Sequence, residues 1–205
     1  MPGITAWVGI EKIGNAKEGS NVFISAAAGG VGIIAGQLAK VKGCRTVGSV
    51  GSDDKVKLLK KECGYDEAFN YRIETDYDAA LTKYFPNGID VYFDNVGGKM
   101  LEAVLNHGAR IALCGMISEY NKVWTERGVR NLLNMVGKEV MMKGFMVGSY
   151  YNHFEEFIKE MEVHLKEGKT KSKHKIYNGI ESFLESLASL FTSSNVGKVI
   201  LQVAS

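Results

Sequence analysis

Residues 25–40, SAAAGGVGIIAGQLAK, decide how this sequence folds. They follow the apolar run 22–24, which has the length of a buried strand, and they lead into helical spacing of apolar residues over 32–42. Three alanines and three near-adjacent glycines between a strand and a helix indicate either a tight turn or a close approach of the backbone to a ligand. The rest of the chain has to decide between these two interpretations.

Strand-like and helix-like segments alternate along the whole chain. The predicted strands are 22–25, 46–50, 68–71, 89–95, 110–114, 140–147 and 197–203. The predicted helices are 4–13, 32–42, 53–63, 76–85, 99–106, 129–135, 153–167 and 179–191. Strands that alternate with helices through short turns predict βαβ units, and therefore an α/β fold with a doubly wound parallel sheet.

The composition excludes several classes of function. The 205 residues allow one large domain or slightly more, and a net charge of +2 without a basic, aromatic-rich cluster argues against a nucleic-acid partner. The widely spaced Cys44, Cys63 and Cys114 predict neither a disulfide framework nor a metal site, and they fit a reducing, cytoplasmic compartment. Because no apolar run reaches about 18 residues and residues 1–5 lack a secretory signal, we expect no membrane contact.

The glycine-rich turn, residues 26–32, fits the pattern A-x-x-G-x-x-G. Glycine there permits a positive φ, and a missing Cβ lets a pyrophosphate approach the backbone amides. The N-terminus of the following helix offers unpaired N–H groups and a partial positive charge to the same anion. After the first strand of an α/β run, the motif predicts a Rossmann-type dinucleotide-binding domain, although a ligand-free βα turn remains an alternative.

The end of the second predicted strand bears on which dinucleotide is bound. NAD-specific folds usually carry an acid there, but this strand ends in Gly51-Ser52, and Asp53 and Asp54 look like helix caps. Lys55 follows in the first helical turn, where the helix dipole disfavours a cation unless an anion is bound nearby. A small residue, a hydroxyl and a lysine suit a 2′-phosphate, so the sequence favours NADP over NAD.

Other catalytic constellations are missing from the sequence. No tyrosine has a lysine four residues later, no Gly-Lys-Ser/Thr follows the glycine-rich turn, and there is no Gly-x-Ser-x-Gly motif. A methyltransferase would also use a glycine loop and a doubly wound sheet. It would usually place an acid at the end of the second strand, which this sequence lacks.

Several stretches resemble the zinc-independent branch of the medium-chain dehydrogenase/reductase superfamily. The resemblance is to plant NADP-dependent alkenal double-bond reductases and to the related prostaglandin reductases. The stretches that carry it are MPGITAW, VFISAAAGGVG, VGSVGSDDKVKLL, DEAFNY, YFPNGIDVYFDNVGGKML, CGMISEYN and NVGKVIL, in that order along the chain.

The resemblance implies site residues for both halves of NADP(H). At the pyrophosphate loop they are Gly29, Gly30, Val31 and Gly32, with Asn195 as a late contact near the phosphates. At the adenosine 2′-phosphate and its ribose they are Gly51, Lys55 and Tyr71. On the nicotinamide side they are Asn95, Cys114, Tyr120, Phe145, Met146 and Val147. Tyr120 is the implied catalytic residue, as a proton donor or as a hydrogen-bond partner of the nicotinamide ribose.

Without the resemblance, three of these residues have simpler interpretations. Tyr71 can be an aromatic side chain at a strand end, and Cys114 can be an inert buried thiol. Asn95, which precedes Val96-Gly97-Gly98, can simply form a turn.

The resemblance also implies an activity and a domain organisation. NADPH would reduce the C=C bond of an α,β-unsaturated aldehyde or ketone without a metal. Residues 1–20 would be an interdomain helix remnant and 21–205 the NADP-binding domain with a C-terminal strand, while the preceding barrel domain, one wall of the substrate cleft, is absent from this sequence. The alternative is a non-catalytic NADPH-binding or dimerising module, with a possible homodimer through the edge strand 140–147.

The chain departs from the family pattern at three places. The connection 106–109 is about three residues short, and Gly148-Ser149 stands where relatives often have Pro-Asp. Asp53 occupies a position where a second basic residue is common, so we expect it to weaken binding of a 2′-phosphate.

Overall fold

A six-stranded parallel sheet forms the centre of the computed structural model, which describes residues 1–123 and 128–203. The strands are β1 (Asn21–Ile24), β2 (Arg45–Val50), β3 (Glu67–Asn70), β4 (Val91–Asp94), β5 (Arg110–Leu113) and β6 (Met141–Gly144). Their order across the sheet is β3-β2-β1-β4-β5-β6, and every pairing is parallel. This order confirms the doubly wound α/β fold.

Helices cover both faces of this sheet. They are α1 (Pro2–Trp7), α2 (Gly32–Val41), α3 (Asp53–Glu62), α4 (Tyr77–Tyr84), α5 (Gly98–Leu105), α6 (Asn134–Gly137), α7 (Phe154–Lys166) and α8 (Phe183–Phe191). A π-helical segment, Val8–Ile13, continues α1, and 3₁₀ segments span Val147–His153 and Ile180–Ser182. In the described residues, no helix has both the length and the hydropathy needed to cross a bilayer.

The central strand β1 is buried on both faces, which explains its unbroken apolar run. Val22 and Ile24 face the layer that contains α1, α2 and α7. Phe23 faces the other layer, where its ring stacks on Tyr92 and on Phe69 with centroid distances of 5.0 and 6.0 Å. The two hydrophobic layers hold the strand ends in fixed positions, and the site is built on those ends.

Four sequence-based element predictions need correction. The predicted helix 129–135 is wrong, since α6 begins only at Asn134. Val129 and Met135 pack partly against the core, but Leu133 is 82 % and Val136 78 % exposed, so the apolar side chains do not share one buried face. The predicted strand 140–147 is shorter, because Val147 already starts a 3₁₀ turn. The predicted helix 179–191 begins as a 3₁₀ turn after Gly179, and the predicted helix 4–13 changes from α to π at Val8.

A second, two-stranded sheet was not predicted from the sequence. Strand β7 (His174–Asn178) pairs in parallel with β8 (Lys198–Gln202), the strand predicted at 197–203. All of β7 except Tyr177 is exposed, so it lacks the apolar run of a core strand. Together with α8, this pair forms a C-terminal unit that lies over the glycine-rich turn.

Candidate functional site

The site lies where the strand order of the sheet reverses. β2 and β3 extend from one side of β1, and β5 and β6 extend beyond β4 on the other side. The connections that leave β1 and β4 therefore diverge, and a crevice opens at the carboxyl ends of these two strands. The glycine-rich turn follows β1, and the turn 95–97 follows β4, so both border the crevice.

A buried carboxylate organises the turn after β4. Oδ1 of Asp94 accepts hydrogen bonds from the Tyr92 hydroxyl (2.7 Å), from the Val96 and Gly97 amides (2.8 Å each) and from Ser25 Oγ (3.2 Å). Burial raises the pKa of Asp94, although these donors act in the opposite direction. The carboxylate thus fixes the path of the chain at the edge of the crevice.

Asn95 joins the two turns across the switch point. Its side-chain amide donates to the Ser25 carbonyl at 2.7 Å, and its backbone N–H donates to Ser25 Oγ at 3.0 Å. The structure therefore assigns Asn95 a bridging contact between β1 and β4. Its predicted contact on the nicotinamide side remains a separate prediction.

The glycines of the loop allow neighbouring backbone segments to pack closely, and none of them has a positive φ. The expectation of a positive φ at a loop glycine is wrong, since Ala26 carries it (+48°) and Gly29, Gly30 and Gly32 do not. A Cβ on Gly32 would lie 2.6 Å from the Ala26 carbonyl oxygen and 2.7 Å from Ala27 Cα. Only glycine lets the first turn of α2 pack this closely under the loop.

The C-terminal unit covers the same loop from the opposite side. The Gly197 amide donates to the Ala28 carbonyl at 2.8 Å, and a Cβ on Gly30 would meet Lys198 Cα at 3.2 Å. Between the loop and this unit lies a cavity of about 920 Å³. The cavity is large enough for a dinucleotide-sized ligand.

Polar and apolar groups occupy different parts of the cavity wall. The apolar part is formed mainly by α8 and β8 facing α5, and it includes Met100, Phe183, Leu187, Leu190, Val199 and Leu201. The predicted site residues that line the cavity are Gly29, Gly30, Val31, Gly51, Lys55, Tyr71 and Asn195. Gly32 lies behind the loop, where it supports the loop backbone.

Lys55 and Tyr71 meet the C-terminal unit at the end of β2. The Lys55 ammonium donates to the Ser193 carbonyl, and the Tyr71 hydroxyl lies 2.9 Å from Ser193 Oγ. A Cβ on Gly51 would stand 2.9 Å from that tyrosine hydroxyl, so glycine is needed here too. Burial lowers the pKa of Lys55, and the charge of Arg72 lowers it further. These groups form a half-buried cationic corner of the cavity.

Tyr120 and Cys114 are not part of the cavity wall that the described residues form. The Tyr120 hydroxyl accepts a hydrogen bond from the Met116 amide at 3.1 Å, and the residue is 56 % exposed. A Cβ on Gly115 would lie 3.1 Å from this hydroxyl and 3.6 Å from the Asn95 carbonyl oxygen. Tyr120 therefore stands beside the end of β4, next to the crevice.

The Cys114 thiol is unreactive in this environment. Its pKa is raised to about 12 by burial and, to a smaller extent, by the charge of Asp94. At neutral pH the group is a protonated thiol and behaves as a small apolar side chain.

The segment after β6 also lies outside the cavity wall. Phe145 packs edge-on against Phe93 and Tyr150, with ring centroids 6.4 and 6.3 Å away. Met146 is 78 % exposed, and Val147 packs partly against the hydrophobic core. The side chains of these three residues serve packing or face solvent, so any ligand contact here would use the backbone.

Two groups at the site were missed by the sequence analysis. Ser193, whose carbonyl and hydroxyl contact Lys55 and Tyr71, is 138 residues from Lys55 in the chain. Arg72 reaches the same segment through a 3.0 Å hydrogen bond to the Thr192 carbonyl. The only signal in the sequence was a basic residue directly after Tyr71.

The donor groups do not support a metal site. In residues 1–123 and 128–203, no cluster of three or more His, Cys, Asp or Glu side chains could hold a metal ion. Burial raises the pKa of the Cys44 and Cys63 thiols, which disfavours the thiolate that a metal would need. We therefore derive no metal-dependent step.

Comparison with known proteins identifies relatives along the whole chain. Residues 30–163 match the model of the zinc-binding dehydrogenase family. The chain is 49 % identical over 208 residues to (+)-pulegone reductase of Mentha piperita and 47 % identical over 207 residues to the NADP(+)-dependent 2-alkenal reductase of Nicotiana tabacum. Each alignment covers 100 % of this chain and 60 % of the relative. The chain thus spans about three fifths of the length of these relatives.

The fold of the chain also matches a solved structure. CurA of Vibrio vulnificus, crystallised in complex with NADPH, superposes with a TM-score of 0.93 at 36 % identity. The superposition covers 100 % of this chain and 63 % of CurA.

Proposed function

The chain belongs to the zinc-binding dehydrogenase family, and from that membership we propose that it is the NADP(H)-binding portion of a C=C double-bond reductase. The proposed substrates are α,β-unsaturated aldehydes and ketones. The observation that carries the proposal is the cationic corner at the end of β2. Lys55 and Tyr71 stand there beside Gly51, at the strand end where an NAD-specific site would place an acid.

The residues of the cavity suit the parts of NADPH. The loop 29–32 and the N-terminus of α2 offer backbone N–H groups to the pyrophosphate. Lys55 and Tyr71 offer an ammonium and a hydroxyl to the 2′-phosphate, and Gly51 lets the Tyr71 hydroxyl lie close to the end of β2. Asn195 lies on the cavity wall near the loop and fits a contact to the phosphates.

In the proposed reduction the cofactor provides the hydride, and residues of the chain orient the reactants or provide a proton. When bound, NADPH supplies the hydride that the β-carbon of the enal or enone receives. The proposed role of the Tyr120 hydroxyl is to hold the nicotinamide ribose or to donate a proton, and its hydrogen bond from the Met116 N–H supports a fixed orientation for this role. Cys114 and the backbone of 145–147 complete the proposed nicotinamide side.

A spectrophotometric assay tests the reductase proposal. Purified chain is mixed with NADPH and crotonaldehyde, and absorbance at the NADPH band is followed with wild type and Tyr120→Phe. We expect enal-dependent oxidation of NADPH that slows at least about tenfold in the variant, as the loss of an acid–base group requires. Oxidation that is equal in the two proteins would remove Tyr120 from the catalytic role.

A second candidate is a non-catalytic NADPH-binding module. The observation in its favour is that Tyr120 is 56 % exposed, so the expected hydride-transfer site is open to water. In the same assay, this candidate gives NADPH binding without any enal-dependent oxidation.

The proposed cofactor-binding unit is 21–205. Residues 1–20 precede it, and their helical part packs against α2. The proposed location of the protein is the cytoplasm.

We also propose that the chain forms a homodimer through the open edge of β6. This strand pairs with β5 on one side only within the described sheet, and Met141 beside its edge is 52 % exposed. An unpaired edge is a template for pairing with a second copy. Light scattering after size-exclusion chromatography should give twice the 22.5 kDa of one chain. A mass of 22.5 kDa at all concentrations tested would contradict the dimer.

A further inference from the structure

The negative charge of Asp53 lies close to the proposed 2′-phosphate site, at the start of α3. An acid at this position would repel a 2′-phosphate bound between Lys55 and Tyr71. In the structure the Asp53 carboxylate accepts a hydrogen bond from the Asn70 side chain at 2.9 Å. Asn70, the last residue of β3, thus holds the acid by a neutral amide on the β3 side of the helix start.

The same asparagine positions a cation. The side-chain oxygen of Asn70 accepts the backbone N–H of Arg72 at 3.1 Å. The Arg72 guanidinium then reaches the Thr192 carbonyl at 3.0 Å, whereas the neighbouring Ser193 carbonyl accepts the Lys55 ammonium. The two cations therefore donate to the carbonyls of consecutive residues, and the charge of Arg72 acts on the Lys55 ammonium.

Among residues 1–123 and 128–203, the charge found to act on the Lys55 ammonium is itself positive. The charge that acts on the Lys55 ammonium is that of Arg72, and it lowers the lysine pKa in the same direction as burial. Both cations instead donate to backbone carbonyls, which are neutral acceptors. Lys55 lines the cavity, whereas Arg72 is exposed and does not line it. A dianion bound at Lys55 would stabilise both cations, because their like charges act on each other.

We propose that Arg72 is the second cation of the 2′-phosphate site and a determinant of specificity for NADP(H) over NAD(H). Family members often have a second basic residue at the position of Asp53. In this chain Arg72, which follows β3, would take over the role of that residue. This inference rests on the proposed cofactor site. A planar guanidinium can make paired hydrogen bonds to phosphate oxygens, in exchange for the single bond to Thr192.

Binding measurements on the intact chain test this role. The ligands are NADPH and adenosine 2′,5′-bisphosphate, with 5′-AMP as the probe that lacks the 2′-phosphate. The variant is Arg72→Gln, with Arg72→Lys as the charge-preserving form. The matched control is Arg130→Gln, an exposed arginine that, like Arg72, does not line the cavity, and whose backbone N–H donates to Glu102. Arg72 differs from it by its hydrogen bond to the Thr192 carbonyl, beside the acceptor of Lys55.

The inference predicts a selective loss. Arg72→Gln should raise the Kd of NADPH and of the bisphosphate about fivefold, which is typical of one exposed charged contact. Arg72→Lys keeps the charge but loses the paired donors, so its Kd values should lie between those of wild type and Arg72→Gln. Arg130→Gln should bind all three ligands as wild type does, and no variant should change the Kd of 5′-AMP.

Three results would overturn the inference, and they have different consequences for the cofactor site. If Arg72→Gln leaves both Kd values unchanged while Lys55→Gln raises them, the site has one cation and the proposed function stands. If Arg72→Gln weakens the binding of 5′-AMP as much as that of NADPH, the residue supports the fold around the adenosine and does not contact the 2′-phosphate. If wild type binds neither NADPH nor the bisphosphate, the inference and the proposed function fail together.

Discussion

Replacement of Gly32 by alanine is expected to lower the free energy of unfolding by about 3 kcal/mol, the upper range for overpacking. The added Cβ would lie 2.6 Å from the Ala26 carbonyl oxygen and 2.7 Å from Ala27 Cα. Both are backbone atoms, so no side-chain rotation can relieve the contact. The Gly32 carbonyl also accepts the buried Tyr65 hydroxyl at 2.8 Å, so a shift of the helix start would strain that bond as well.

Thermal unfolding followed by circular dichroism measures this loss. For a chain of this length, about 3 kcal/mol corresponds to a drop in Tm of roughly 9 °C. Gly137→Ala is the matched control, because it also lies in a helix and no heavy atom lies within 4 Å of its added Cβ. The control should remain within about 0.5 kcal/mol of wild type. An unchanged Tm for Gly32→Ala would show that the loop is not packed as described.

The second large effect is expected at Asp94. Asp94→Ala removes the acceptor of four hydrogen bonds in a site with no exposed surface, and it leaves the Val96 and Gly97 amides and the Tyr92 hydroxyl without this partner. Buried donors without acceptors cost about 1–3 kcal/mol each, with partial relief by relaxation. We expect a net loss of about 4 kcal/mol at pH 7, measured by urea denaturation.

The isosteric variant Asp94→Asn separates hydrogen bonding from charge. Its side-chain oxygen can still accept, so the loss at pH 7 should stay below about 1.5 kcal/mol. Equal losses for the alanine and asparagine variants would show that the acceptor at Asp94 does not hold the turn.

The pH dependence of Asp94 has a definite sign. Because the pKa of Asp94 is raised in the folded state, the protonated carboxyl favours folding below the ordinary aspartate pKa of about 4. That contribution is lost as the pH rises through the higher folded-state pKa. Asp94→Asn does not titrate, so its stability relative to wild type should improve from pH 4 to pH 7. A relative stability that falls with pH would contradict the raised pKa.

The centre of the sheet could be predicted from the sequence because β1, β2 and β4 are buried on both faces. Residues 22–24 form an unbroken apolar run, which is typical of a strand buried on both faces. The start of α3 is marked by the N-cap Ser52. The helix predicted at 129–135 was wrong because its apolar side chains do not share one buried face, since Leu133 is exposed whereas Met135 packs partly on the core. Strand β7 could not be found at all, since its stability comes from β8, more than twenty residues later.

The site was predicted where local sequence determines it and missed where distant segments meet. The loop 29–32 and Lys55 follow directly from strand ends, and both line the cavity. The covering by α8 and the contacts of Ser193 depend on how the C-terminal unit packs, which no local pattern encodes. The loop φ prediction was wrong because Ala26 takes the left-handed conformation, whereas the glycines serve close packing.

The most direct test of the central claim is titration calorimetry of NADPH and NADH against wild type and Lys55→Ala. The account predicts that wild type binds NADPH more tightly than NADH. Lys55→Ala should weaken NADPH binding by about 1–2 kcal/mol, the contribution of a charged hydrogen bond, and leave NADH binding unchanged. If neither cofactor binds wild type, or if Lys55→Ala weakens both equally, the cavity is not an NADP(H) site.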